Sequence, residues 1–199
     1  MWQAVSNEST RFLADVMQLA NSEIRYGLVP QIVHWLTFIC VAGGWLLGWF
    51  LGDFPKDVVR SFGLLTHITL GQCVLVLLVV RLAWRFANAP PPPEKTKFGK
   101  LVERAGKLSH FALYALLLAV PFVGIVMEFK RGGSLPIFGL WEVPSPWPVD
   151  RDMARNMLKV HEYLANTLVA LAGLHAAAAL THHYVWRDRT LVRMLPGAR

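Results

Sequence analysis

Residues 163–186 read YLANTLVALAGLHAAAALTHHYVW and contain no Asp, Glu, Lys or Arg. The same is true of residues 26–52, 61–80 and 108–127. A helix rises about 1.5 Å per residue and the hydrocarbon core of a bilayer is about 30 Å thick, so about 20 apolar residues cross it. A surface helix of a soluble protein would keep one polar face. The four runs therefore predict an all-α integral membrane protein, a bundle of four transmembrane helices.

The boundaries of the predicted spans follow from the charged and helix-breaking residues between them. The spans cover about residues 31–52, 63–86, 108–129 and 159–186. Asp150 is predicted to be the N-cap of a helix that continues into the fourth span. The Gly-, Pro- and Trp-rich loop 131–149 is too irregular for a helix and is predicted to fold over one mouth of the bundle. Residues 26–199 are predicted to form one domain. Residues 1–25 are predicted to be an N-terminal extension, either an interfacial helix or disordered.

The distribution of basic residues predicts how the chain lies in the membrane. The formal net charge is +7, but the basic residues flank apolar runs, which indicates contact with lipid headgroups and no nucleic-acid partner. Twelve Lys and Arg lie in the N-terminal segment, in residues 85–107 and in the C-terminal tail, against six in the two other connections. Segments with more Lys and Arg stay in the cytoplasm. Both termini are therefore predicted to be cytoplasmic.

The seven histidines all lie within the predicted spans or at their ends, where an ionisable side chain is costly and usually marks a functional site. His161 and His175 are 14 residues apart, so they lie within about 40° of the same helix face and about 21 Å apart along the axis. The span directions place His34 at the depth of His175, near the cytoplasm, and His67 at the depth of His161, near the periplasm. This arrangement predicts two b-type haems with paired histidine ligands. His34 and His175 would hold the inner haem, and His67 and His161 the outer one. No C-x-x-C-H motif is present, which excludes covalent haem.

Further residues are candidates for contacts around these haems. Arg81 and Arg85 are candidate partners of the anionic propionates of the inner haem. His182 follows His175 by seven residues and lies nearly on its face. It is a candidate to donate, as a neutral imidazole, to a quinone carbonyl, or else an interfacial histidine solvated by headgroups. His110, at the cytoplasmic start of the third span, is predicted to pack in the bundle or support a ligand, and the alternative is a place in the quinone pocket.

Several motifs resemble those of the bacterial cytochrome b561 family. These are His34-Trp35, Thr66-His67, Val80-Arg81-Leu82, His161-Glu162 and the run from Gly173 to Tyr184. The resemblance covers about residues 26–196. It implies a multi-pass protein of the bacterial inner membrane that binds two b haems through histidines matching His34, His67, His161 and His175.

The resemblance also implies an activity. Some members of the family are oxidoreductases that transfer electrons from superoxide at the periplasmic face to ubiquinone at the cytoplasmic side. A histidine matching His182 is implicated there in the quinone site. Among the basic residues near the periplasmic face, Arg155 and Lys159 are candidates for capturing the anion. The alternative is a cytochrome b subunit that passes electrons from a periplasmic dehydrogenase or hydrogenase to quinone.

Overall fold

The computed structural model of the protein describes residues 19–94 and 99–197. Most of the N-terminal extension, for which an interfacial helix or disorder is predicted, lies outside the described residues. Residues 19–27 form neither helix nor strand. The structural description below concerns these two ranges.

Four long helices confirm the predicted all-α membrane bundle. They are α1 (Leu28–Phe50), α2 (Val58–Ala87), α3 (Lys100–Arg131) and α4 (Arg151–Tyr184), and a short 3₁₀ helix covers Val192–Met194. Each of the four long helices is long and apolar enough to cross a membrane. Helices α3 and α4 each begin eight residues before the predicted span, at Lys100 and Arg151. Apolar patterning locates the part of a helix that lies in lipid, whereas backbone hydrogen bonding continues into its polar ends.

The ends of the helices follow local capping rules. The Asp150 side chain accepts a hydrogen bond from the backbone N–H of Met153 at 2.9 Å, as predicted for the N-cap of α4. Asp57 does the same for α2, accepting from the N–H of Val59 at 2.8 Å. Helix α3 ends at Gly132, whose φ of 95° is a left-handed conformation that glycine adopts without a steric penalty.

The helices pack as two pairs. Helix α1 packs mainly against α2, and α3 mainly against α4. A small cluster of buried apolar side chains joins the pairs: Val74, Leu78, Leu117 and Leu168. Many large apolar side chains, such as Phe38, Phe62 and Phe122, are exposed on the outside of the bundle, as expected where lipid is the solvent. The limited contact between the pairs leaves room for a cofactor.

The connection from α3 to α4 contains a β-hairpin, formed by β1 (Leu135–Ile137) and β2 (Trp141–Val143). The buried side chain of Gln72, on α2, makes two hydrogen bonds to the hairpin. The Nε2 atom of Gln72 donates to the carbonyl of Pro136 at 2.7 Å, and its Oε1 accepts from the N–H of Phe138 at 2.9 Å. We call this end of the bundle the hairpin end. The connection has no helix, as predicted, but it is more regular than its composition suggested.

The opposite end, which we call the termini end, joins three segments of the chain. The Nε2 atom of Gln31 donates to the carbonyl of Arg193 at 3.2 Å, and the indole N–H of Trp35 donates to the carbonyl of Met194 at 2.9 Å. Arg193 in turn donates to the carbonyl of Pro92 at 2.7 Å. The start of α1, the connection after α2 and the C-terminal tail therefore lie together.

Candidate haem-binding sites

His67 on α2 and His161 on α4 face each other toward the hairpin end, with ring centroids 6.0 Å apart. The Nδ1 atom of His67 lies 2.8 Å from the carbonyl of Gly44, and that of His161 lies 2.9 Å from the carbonyl of Val120. A carbonyl accepts only, so each ring carries its proton on Nδ1. The lone pair of each neutral ring is then on Nε2. Both Nε2 atoms can therefore bind a metal. The hydrogen bond from Nδ1–H to a backbone carbonyl orients each ring, as is usual for histidines that bind metals.

Glycine makes these two hydrogen bonds possible in the same way on two helices. Gly48 lies one turn after the accepting carbonyl of Gly44, and a Cβ there would lie 3.1 Å from Cε1 of His67. Gly124 lies one turn after Val120, and a Cβ there would lie 3.2 Å from Cε1 of His161. Larger residues at positions 48 and 124 would push each ring away from its carbonyl.

A cleft of about 110 Å³ lies around the His67–His161 pair. Its walls are mainly apolar, and they include Gly71 and Ala165, which follow the two histidines by four residues. Leu135 of the hairpin closes part of it. The cleft suits a flat apolar group held between two imidazoles.

The spacing of this pair fits a metal with two axial imidazoles. Imidazole–metal bonds are about 2 Å long, so two rings on opposite sides of one metal ion have centroids roughly 6 Å apart. The observed 6.0 Å agrees with that value. Spacing, ring orientation and cleft together fit a b-type haem.

His34 on α1 and His175 on α4 form the second pair, with ring centroids 6.4 Å apart. The distance again fits, but the hydrogen bonding differs. Arg81 donates from Nη2 to Nδ1 of His34 at 2.8 Å. A guanidinium has no acceptor, so Nδ1 of His34 carries the lone pair and a neutral ring has its proton on Nε2. Binding of iron at His34 Nε2 therefore requires Arg81 to release Nδ1.

Arg81 is a partly buried cation that an anion would stabilise. Its guanidinium lies over the ring of Tyr114, 5.7 Å from the centroid, and no carboxylate among the described residues forms an ion pair with it. Removing a charge from water without a counter-ion is costly, and a haem propionate would reduce that cost. Arg85, the second candidate, is exposed. The ring of His110 lies 5.3 Å from that of His175, in the packing position expected for it.

The three other candidate residues lie at the two ends of α4. Arg155 and Lys159 are exposed, and Arg155 forms an ion pair with Asp152. At the termini end, Nδ1 of His182 lies 2.5 Å from a carboxylate oxygen of Asp188, a partner that sequence reasoning missed. With Nδ1–H donated to Asp188, a neutral His182 has no proton on Nε2. The expected donation from a neutral ring to a quinone therefore does not fit this geometry.

A four-helix apolar bundle with two pairs of facing histidines, one of them in a mainly apolar cleft, is the architecture of a membrane-bound cytochrome of the b type. Residues 25–197 match the family model of prokaryotic cytochrome b561, and the chain belongs to that family. The family binds b-type haem and serves electron transport. The protein is accordingly a haem-binding, oxidoreductase-type cytochrome that crosses the bacterial inner membrane four times.

Three relatives match this chain over nearly their full length. A Yersinia pestis protein named probable superoxide oxidase CybB is 32% identical, over 88% of this chain and 98% of its own. An Escherichia coli K12 protein named cytochrome b561 homolog 2 is 31% identical, over 90% of this chain and 95% of its own. A second protein from the same strain, named cytochrome b561 homolog 1, is 34% identical, over 86% of this chain and 97% of its own.

Proposed function

We propose that this protein holds two b haems and transfers electrons from superoxide to ubiquinone. The observation that supports it most is the His67–His161 pair, whose 6.0 Å ring spacing and backbone-bonded Nδ1 atoms suit axial ligation. His34 and His175 are the ligands of the second haem, with Arg81 moving from His34 to a propionate. The bound haems supply one-electron carriers at two levels of the bundle.

The charge distribution supports an orientation with the termini end in the cytoplasm. The sequence has twelve Lys and Arg in the N-terminal segment, residues 85–107 and the C-terminal tail, against six in the two other connections, and cytoplasmic loops are the richer in these residues. The His67–His161 site then lies on the periplasmic side and the His34–His175 site on the cytoplasmic side.

Superoxide as donor is supported by the name of the Yersinia pestis relative and by basic residues at the hairpin end. Lys159 is exposed and forms no ion pair with any described carboxylate, whereas Arg155 is paired with Asp152. Lys159 thus has the less compensated charge for attracting an anion. At the termini end, His182 is the residue that contacts the quinone.

Stopped-flow mixing of the oxidised, purified protein with superoxide, without oxygen or quinone, tests the donor. We expect reduced b-haem bands to appear, to be suppressed by superoxide dismutase, and to be slower in Lys159→Gln than in the wild type. A haem spectrum that superoxide leaves unchanged, in protein that dithionite reduces fully, would contradict superoxide as donor. Reduction by a co-purifying dehydrogenase or hydrogenase would then support the alternative role as its cytochrome b subunit.

A further inference from the structure

His182 and Asp188 form a close pair at the termini end, where α4 ends. Nδ1 of His182 lies 2.5 Å from Oδ2 of Asp188, and each side chain is only 14% exposed. The backbone N–H of Asp188 donates to the carbonyl of His182 at 3.1 Å. The chain that leaves α4 thus folds back and brings a carboxylate onto the imidazole.

Two neighbours hold this pair in place. Oδ1 of Asp188 accepts from the backbone N–H of Thr190 at 2.9 Å. The indole of Trp186 lies edge-on to the His182 ring, with centroids 4.4 Å apart. Burial acts to raise the pKa of the Asp188 carboxyl, but hydrogen bonds from Thr190 and His182 outweigh burial and leave the pKa below its ordinary value. Asp188 is therefore an anion at neutral pH, able only to accept.

The pair determines what His182 can do chemically. Because Nδ1–H points at Asp188, the neutral ring offers a lone pair at Nε2, and only the imidazolium offers an Nε2–H. An adjacent carboxylate stabilises the imidazolium, as it does in histidines that exchange protons during catalysis. The arrangement therefore suits a group that releases a proton from Nε2 and then takes up another.

We propose that Asp188 is a positioning residue that makes His182 the proton donor to ubiquinone, an inference that rests on the proposed quinone site. As electrons from superoxide reduce the quinone, the Nε2–H bond of His182 breaks and an O–H bond forms on a quinone oxygen. The ring is left neutral, with Nδ1–H still on Asp188, and Nε2 takes a proton from cytoplasmic water. One quinone accepts two electrons and two protons, so His182 acts twice per quinol.

The test compares Asp188→Asn with the wild type in re-oxidation by quinone. Protein reduced with dithionite is mixed with a short-chain ubiquinone, and the decay of the reduced haem bands is followed at several pH values and quinone concentrations. We expect the maximal rate of Asp188→Asn to fall roughly ten-fold or more. Its pH profile should differ from that of the wild type, because the carboxylate that accepts from Nδ1–H is gone. The quinone concentration for half-maximal rate should change little, and Asp188→Glu should restore the profile.

Matched variants separate the possible failures. Glu103→Gln removes an exposed carboxylate from the N-terminal turns of α3, on the same predicted side of the membrane, and should behave as wild type. Arg187 and Arg189, exposed neighbours of Asp188, remain in every variant. A wild-type rate and profile in Asp188→Asn would overturn the positioning role alone. Normal re-oxidation in His182→Ala would overturn the quinone site itself. If Asp188→Asn does not retain haem, Asp188→Ala is measured instead, with and without formate as a replacement carboxylate. A re-oxidation rate that does not depend on formate would count against the proposal.

Discussion

Gly48 on α1 lies so close to His67 on α2 that a Cβ at position 48 would be 3.1 Å from the Cε1 atom of the ring. The same relationship links Gly124 on α3 to His161 on α4. In each case the ring donates to the carbonyl of the residue one helical turn before the glycine. His67 donates to Gly44 at 2.8 Å, and His161 donates to Val120 at 2.9 Å. The two glycines therefore leave room for the hydrogen bonds that orient both proposed ligands of the outer haem.

Alanine at position 48 or 124 should disturb the outer haem. The added methyl group would displace the imidazole by a few tenths of an ångström and stretch its hydrogen bond, which orients the ligand and raises its basicity. We expect Gly48→Ala and Gly124→Ala to shift the midpoint potential of one haem and to lower its occupancy, with the other haem unchanged. Potentiometric titration and low-temperature electron paramagnetic resonance measure both effects.

Gly173→Ala is the matched control, because nothing lies within 4 Å of a Cβ at that position. It lies on α4 between His161 and His175, and alanine there should favour the helix by about 1 kcal/mol. Both haems should keep their wild-type potentials. Equal changes in Gly173→Ala and Gly124→Ala would mean that the effect comes from the helix and not from the ring contact.

The sequence alone predicted the spans and the histidine pairing because each depends on one-dimensional quantities. Lipid excludes charges over about 20 residues. Depth in the membrane follows from position along a span, so His34 matches His175 in depth and His67 matches His161. The contacts of Gly48 and Gly124 with the histidine rings could not be predicted from the sequence. They depend on how closely two helices approach, which residue spacing does not encode.

The contacts of polar side chains were predicted less well. Arg81 was expected near the inner haem, but its hydrogen bond to His34 was not, since it depends on the relative rotation of α1 and α2. Asp188 was not singled out because it lies beyond the end of α4, where helical periodicity no longer places a side chain. The hairpin was missed because its strands have three residues each, too few for an alternating pattern to appear.

Histidine variants should separate the two haems. The wild type should contain two non-covalent b haems per chain by pyridine haemochrome assay. His67→Ala and His161→Ala should each remove one haem, and His34→Ala and His175→Ala should each remove the other, which is distinguishable by midpoint potential. His183→Ala, whose ring packs against Tyr184, should retain both. Loss of the same haem in His67→Ala and His34→Ala would show that the pairing is wrong.

Arg81→Met should lower the potential of the inner haem. A cation near the iron favours the reduced form, so its loss should lower the midpoint by several tens of millivolts, about 1 kcal/mol. The haem should also bind more weakly if Arg81 contacts a propionate. Arg85→Met is the comparison, because Arg85 is exposed and solvent screens its charge; it should shift the midpoint less. An unchanged inner haem in Arg81→Met would exclude the propionate contact.

Gln72→Met should loosen the hairpin that covers the outer cleft. Methionine has a similar size, but it leaves the carbonyl of Pro136 and the N–H of Phe138 without the partners they have at 2.7 and 2.9 Å. A hydrogen bond of this kind contributes about 0.5–1.5 kcal/mol net, so the loss of both should make the hairpin open roughly ten-fold more often. Hydrogen–deuterium exchange of residues 135–143 should be faster by that factor. Thr69→Val is the control, because the Thr69 hydroxyl donates to the carbonyl of Leu65 within α2 and not, among the described residues, to the hairpin; it should leave the exchange unchanged. Unaltered exchange in Gln72→Met would mean that strand pairing and Leu135 hold the hairpin without this side chain.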